Sequence, residues 1–342
     1  FGAIKPRFDG NNLYIFNLIC GETKINEINL CDSKFKTNIV IDKNKLVVNK
    51  PYIFTKNELY KNLVKNSNSI EKNNLNNCEN GYVNYSFNNS LHTAKIERVK
   101  DYSINDNPLI RSQTYNKKII KRQSNNNFLI QKGTYEIKSP ITLKGDLIIE
   151  KGTTLKFSEN SYLIIKGNVK INGTANEPIN MTSRNSNKTW KGLFVVNEQI
   201  NKNNESYINN LNVSNISELD AGILNLTGGI NFYNLNLNIS NLKIEGSLAE
   251  DALNIVNSNI KINNIYIENA KSDGFDCDFC NGSINNLELN GIGGDGLDLS
   301  GSSIIANVNK AKGVRDKVIS VGEKTNIKVN LKNVVDLSLI HI

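Results

Sequence analysis

Near the C-terminal end an aspartate returns at an almost fixed interval: Asp251, Asp273, Asp295 and Asp316, in steps of 22, 22 and 21 residues. In the stretches EDALNI, SDGFDCDF, GGDGLDLS and RDKVIS, each stands two places before an apolar residue, so the interval belongs to a repeating unit. A second register moves with it. Asn254, Asp276 and Asp298 follow the first three aspartates by three residues, and Leu242, Ile265, Leu287 and Val308 keep an apolar beat between them. A period this short, filled by alternating strands, leaves no room for a helix of useful length. It predicts a solenoid with one coil per repeat.

The text from residue 128 onward agrees. Short apolar runs at 134–137, 141–143, 147–149, 154–157, 163–165, 169–171 and 179–182 are separated by Lys-Gly, Glu-Asn and Asn-Gly turns. Strands so short would leave many unpaired edges in a sandwich, whereas coils stacked on coils pair nearly all of them. The expected fold is all-β: a right-handed parallel β-helix of about nine coils at this period, over residues 126–342. Leu253, Phe275 and Leu297 should form one inward ladder, with Ile255, Cys277 and Leu299 beside it. Residues 1–125 show strand patterns without a repeat, and 56–65 suits a short helix. This part reads as a separate, smaller β-rich module or as the remnant of a domain cut at Phe1, with 104–127 as connector.

Charge is unevenly spread. Residues 1–125 carry 20 Lys+Arg against 11 Asp+Glu, and residues 126–342 carry 21 against 22. Within the second part, 248–302 holds nine acids and two lysines, which makes an acidic island. The lysines of the first part are scattered and lack interleaved aromatics, which argues against nucleic acid as a partner. No apolar run reaches the length of a membrane span; 13–20 is short and broken by Asn17. The only methionine is Met181 and the chain starts at Phe1, so it reads as a fragment or a processed product.

Five cysteines, at 20, 31, 78, 277 and 280, are too few and too odd in number for a disulfide framework. Cys20 and Cys31 would bridge neighbouring strands in an oxidising compartment. Cys277 and Cys280 have redox or zinc spacing, but no second CxxC lies near them, and packing is the simpler role. Asparagine, lysine and isoleucine are abundant throughout, so Asn-x-Ser/Thr triplets such as those at Asn172 and Asn238 are read as products of composition.

IEKGTTLKF (149–157), LIIKGNVKINGTANEPINMTS (163–183) and WKGLFV (190–195) resemble the opening coils of right-handed parallel β-helix proteins of the pectin-lyase-like superfamily. The resemblance spans about residues 128–335. It implies the fold, and for activity it leaves open polysaccharide lyases, glycoside hydrolases and proteins without chemistry.

Alternation along a strand turns Asp276, Asp278, Asp298 and Ser300 away from Phe275, Cys277, Leu297 and Leu299. Like charges on adjacent coils, about 4.8 Å apart, need a cation, a basic side chain or a shared proton if they are sheltered. Arg315 and Lys317 offer the second remedy. In the simplest reading the Asp-Gly pairs are turns and the outward aspartates are solvated. In a second, Asp276, Asp278, Asp298 and Ser300 ligate Ca²⁺, with sugar oxygens completing the shell. In a third, Asp273, Asp276, Asp295 and Asp298 are catalytic: Asp273-Gly-Phe-Asp276 followed by Asp295 resembles the acid and base aspartates of polygalacturonase-type inverting hydrolases. Here the chain departs from that pattern, with Asp295-Gly296 in place of a paired Asp-Asp and no Gly-His-Gly turn. Neither histidine, His92 or His341, falls in the patterned stretch, which argues against a nucleophilic triad. The expected function is therefore a secreted or cell-surface β-helix, structural or carbohydrate-interacting and without catalysis, with a polysaccharide or surface glycan as partner. The alternative is a polysaccharide hydrolase or lyase working at the aspartate ladder.

Overall fold

The computed structural model describes residues 4–17, 23–30, 33–41, 52–64, 80–87, 90–99, 113–123, 126–197, 200, 205–221, 224–322, 324–335 and 340–341. Cys20, Cys31 and Cys78 lie outside the described residues. Strand accounts for 66% of the structure and helix for 3%, as short alternating runs require. Two compact units divide the chain: Phe1–Arg111 with Ala221–Leu224, and Ser112–Asp220 with Asn225–Ile342.

The first unit contains two four-stranded sheets. One runs Tyr52–Phe54, Leu13–Asn17, Ile4–Phe8, Glu97–Arg98, and the other Ser33–Ile41, Thr23–Leu30, Gly81–Phe87, Ser90–Lys95. Its one described helix, Lys56–Val64, starts at a capping box. The Glu58 carboxylate accepts the Thr55 N–H at 2.8 Å, and the Thr55 hydroxyl accepts the Glu58 N–H at 3.4 Å. Leu59 and Leu63, four residues apart on one face, are its buried anchors.

The second unit is the solenoid, of about eight turns with about 23 residues per turn. Nine parallel strands, from Ile141–Lys144 to Ile340–His341, form its first sheet. A larger sheet wraps the other two sides, because strands such as Glu205–Ile216, Asn236–Ser247 and Asn281–Ile292 continue through a corner. We refer to the sides before and after that corner as the second and third faces. Asparagine makes the corner: Asn210 and Asn241 sit there in the left-handed region, with φ 47° and 63°, a conformation their short polar side chains tolerate.

Core ladders run through the stack as the period predicts. Leu253 registers on Phe275, Phe275 on Leu297 and Leu297 on Ile319, while Ile255, Cys277, Leu299 and Val321 form the neighbouring column. Each coil thus buries its apolar face mainly on its neighbours, the condition under which a solenoid is stable. The N-terminal end is closed by Lys121–Arg122, which pairs antiparallel with Phe128–Ile130. The expected boundary at 125/126 therefore sits inside the solenoid. Ile120 is buried in its core, and the units part at Arg111/Ser112.

Candidate functional site

The strands Asp251–Val256, Asp273–Asp278 and Leu297–Ser300 lie side by side in the first sheet, so the repeat becomes a set of columns. Asn254, Asp276, Asp298 and Ser320 make one, and Val256, Asp278 and Ser300 another. Asp251 registers on Asp273 at the strand entrance. All four residues of the catalytic set and all four of the cation set are thus brought onto two adjacent coils.

Alternation turns these side chains away from the core, yet it does not make them solvated. Asp251 is 4% exposed, Asp278 1% and Asp295 8%, while Asp276, Asp298 and Ser300 are half-buried. The outer side of this sheet carries its own buried residues: Ile164, Phe194, Val196, Tyr233 and Val256 are all covered, though none belongs to the inner core cluster. Phe194 and Tyr233 pack edge to face with ring centroids 4.9 Å apart. The expectation of solvated aspartates fails for this reason, since period 2 decides which side a residue takes and says nothing of what lies over that side.

The Asp-Gly pairs also have another cause than a turn. Gly274 belongs to a strand, and a Cβ there would meet the Gly296 carbonyl oxygen at 2.7 Å. A Cβ at Gly296 would meet the Val318 carbonyl oxygen at 2.6 Å. Glycine is needed because successive coils approach closely where the acids enter.

Three of the acids staple one coil to the next or to an adjoining loop. The Asp273 carboxylate accepts the Asp295 N–H at 2.8 Å, and the Asp295 carboxylate accepts the Lys317 N–H at 2.9 Å. The Lys317 ammonium adds bonds of 3.0 and 3.2 Å to Asp295 and one of 2.6 Å to Asp316. Both carboxylates hold the lysine's proton more firmly than usual. Asp251 accepts from the Asn254 amide at 3.3 Å, and that same amide donates to the Thr227 hydroxyl at 2.8 Å. Asn254 is fully buried, and its Oδ1 has no hydrogen-bond partner.

Burial sets the protonation of this face. It pushes the Asp251 carboxyl up to about 7, against the Thr227 hydroxyl, with the charges of Glu250, Asp273 and Asp278 adding to the rise. Asp273 is raised by burial against the Asp295 N–H. Asp276 is raised well above the usual carboxylate range, first by burial and then by Asp278, Asp251 and Asp298. Tyr233, missed by sequence reasoning, stands beside the same acids and is raised by its burial and their charge. Its column runs Val196, Tyr233, Val256, Asp278, so no periodic cue marks it. Thr227 was missed as well, because it lies just outside the strand text of the repeat.

Among the described residues, no group of three or more His, Cys, Asp or Glu side chains is placed to hold a metal ion. Cys277 and Cys280 form a disulfide rather than merely packing, and both are buried. The bond closes a turn in which Phe279 takes a left-handed φ of 56°.

The family model described as a pectate-lyase-like beta helix domain matches residues 121–300, just over half of the chain. No curated protein and no solved structure matches.

Proposed function

The chain belongs to the pectate-lyase-like β-helix family, and from that premise we propose that it is a non-catalytic solenoid with a structural or carbohydrate-interacting role. The observation that carries this reading is the use made of the acids. Asp273 and Asp295 spend carboxylate oxygens on the backbone N–H groups of the following coil, and Lys317 is spent on Asp295 and Asp316. A lyase needs a base free to take a proton from substrate, within hydrogen-bond reach of it. An inverting hydrolase needs its carboxyls roughly 6.5–9.5 Å apart to admit a water; registered positions on adjacent strands, as at Asp276 and Asp298, stand about 4.8 Å apart.

The buried Cys277–Cys280 bond is of a kind that persists in oxidising compartments, which supports a secreted or surface location. The cofactor proposed for the acidic face is Ca²⁺, with Asp276, Asp278, Asp298 and Ser300 as the protein's ligands and sugar or water oxygens supplying the rest; these side chains do not converge as they stand, so the ion would have to draw them together.

The second reading, a hydrolase at Asp273, Asp276, Asp295 and Asp298, is favoured by one observation. Asp276, beside Asp298, is raised well above the usual carboxylate range by burial and by the neighbouring acids, an environment that favours a general acid. Incubation of the purified chain with pectate, alginate and neutral polysaccharides separates the two. Neither new reducing ends nor unsaturated products are expected, and turnover that vanishes in Asp298→Asn would replace the first reading with the second.

A further inference from the structure

Away from the acidic face, the asparagine corner between the second and third faces lines a groove of about 530 Å³. The corner residues are linked from coil to coil. Asn286 donates to Asn264 at 3.0 Å, Asn264 to Asn241 at 2.8 Å, Asn241 to Asn210 at 3.1 Å, and Asn210 to the Gly173 carbonyl at 3.2 Å. Four amides therefore stand in a row along the solenoid axis. Three intervals of about 4.8 Å make it roughly 14 Å long. Ala175 and Pro178 line the groove at the end nearer the N-terminus. At the other end the ladder stops, because the strand pairing shifts register between Ile284 and Glu288 against the following coil. The Asn286 Oδ1 is left there as a buried acceptor without a partner.

On the third face, Lys243, Tyr266 and Glu288 stand in register beside this row. Tyr266 is half-buried, and its hydroxyl is held by Glu268, which in turn accepts from Asn290 at 2.8 Å. Lys243 is paired with Glu245 at 2.8 Å and lies 5.6 Å from the Tyr266 ring centroid.

We propose that this groove is a glycan-binding site for an extended neutral polysaccharide lying along the solenoid axis over Asn210, Asn241, Asn264, Tyr266 and Asn286. The proposal rests on the carbohydrate-interacting reading above and assigns it to a place other than the aspartate ladder. A ligand here must both donate and accept hydrogen bonds at nearly equal intervals, since each amide presents both functions and the rungs repeat with the coil. It must also offer an apolar surface to an aromatic ring. Sugar units in an extended chain do both, with hydroxyls at their rims and C–H groups on their faces. An anionic chain is disfavoured. The columns beside the row hold Glu245, Glu268 and Glu288 together with Lys243, Lys310 and Lys312, and Lys243 is already paired with Glu245, so they offer no net positive charge. Nucleic acids and polyuronates would therefore find no net attraction. An extended peptide would need an open strand edge, and the strands here are bonded on both sides within the sheet.

The full chain is titrated calorimetrically with cellohexaose, xylohexaose, mannohexaose, chitohexaose and hexagalacturonate. At least one neutral hexasaccharide should bind more tightly than hexagalacturonate. Tyr266→Ala should weaken it roughly tenfold or more, the loss of one aromatic contact, and Tyr266→Phe should keep most of the affinity. Lys170→Ala, on the same solenoid but outside the groove, should leave it unchanged. A melting temperature within the wild-type range shows that each variant is folded. Neutral binding that is indifferent to Tyr266→Ala but lost in Asp276→Asn or Asp298→Asn overturns the groove and leaves the carbohydrate-interacting reading standing. Preference for hexagalacturonate overturns the neutral assignment, and binding of none of the five overturns both.

Discussion

The outer side of the first sheet and the asparagine corner are built by the same repeat, yet they handle polar groups in opposite ways. On the sheet, carboxyls in adjacent coils are covered, and their charge is relieved by protons, backbone N–H groups and one lysine. At the corner, neutral amides meet in the same vertical register with no such remedy, because each donates to the preceding coil and, as at Asn241 and Asn264, can accept from the next. Stacking identical side chains is favourable for a group that is both donor and acceptor, and costly for one that is only an acceptor. The corner can therefore stay open to solvent and ligands, while the acidic columns need a partner at every rung.

The sharpest break in that comparison is to move a carboxylate across the strand, from the outer column to the inner. Leu297→Asp places it in the ladder between Phe275 and Ile319, where every neighbour is apolar. The loss should be several kcal/mol, of the order seen for an unpaired buried charge, measured by urea unfolding. A cost below about 1 kcal/mol would show that this column is not the core.

The next largest effect is pH dependence. Asp251, Asp273 and Asp276 all have folded values above their unfolded ones. Between the unfolded value, about 3.9, and the raised folded values, the folded state binds more protons, so stability is greatest in mild acid and falls as pH rises. For Asp251 the window closes near pH 7, above which the cost is that of the ionised buried carboxyl itself. Asp251→Asn keeps an acceptor for Asn254 and should gain about 1–3 kcal/mol over the parent at pH 8, less at pH 5, and match it only below the unfolded value of about 3.9. Parallel melting curves for the two proteins from pH 5 to pH 8 would remove Asp251 from this account.

The core was legible in the sequence because ladder residues obey two strict periods at once, two along the strand and one coil along the axis. Leu253, Phe275 and Leu297 satisfy both, as do the acids beside them. Shelter was not legible, because no periodicity in residues 251–300 records that Ile164, Phe194 and Tyr233 are buried on the same outer side. The corner was hidden by composition. In a chain rich in asparagine, Asn210, Asn241, Asn264 and Asn286 are spaced by 31, 23 and 22 residues, and the first interval breaks the period. That long interval belongs to the coil running from Leu193–Val196 to Gly228–Tyr233, where the chain leaves the repeat before rejoining it.

A smaller effect separates the two kinds of relief within the acidic face. Lys317→Ala removes the ammonium from Asp295 but leaves the backbone N–H of residue 317 in place. The expected loss is about 1–2 kcal/mol, seen as a lower melting temperature at pH 7. Lys317→Arg should recover part of it. A loss no greater than that of an exposed pair, such as Lys188 with Glu159, would mean that the N–H alone satisfies Asp295.

The smallest effect concerns Asp298, which registers on Asp276 across one strand interval. Two full charges at about 4.8 Å would repel by roughly 0.9 kcal/mol in water and 3.5 kcal/mol at an effective dielectric of 20. The raised Asp276 lessens that repulsion for as long as it keeps its proton. Asp298→Asn should therefore stabilise the calcium-free protein only slightly, by about 0.5 kcal/mol at pH 7, and by more as rising pH removes the Asp276 proton. Calcium competes with that proton, since a ligand carboxylate must be ionised to bind a metal. If calcium occupies the proposed ligands, it should raise the melting temperature of the parent protein by mass action, more at pH 8 than at pH 6, and Asp298→Asn should abolish the increment. A melting temperature indifferent to calcium and to chelator at both pH values would rule the cation out and leave the proton as the means by which Asp276 and Asp298 share one face.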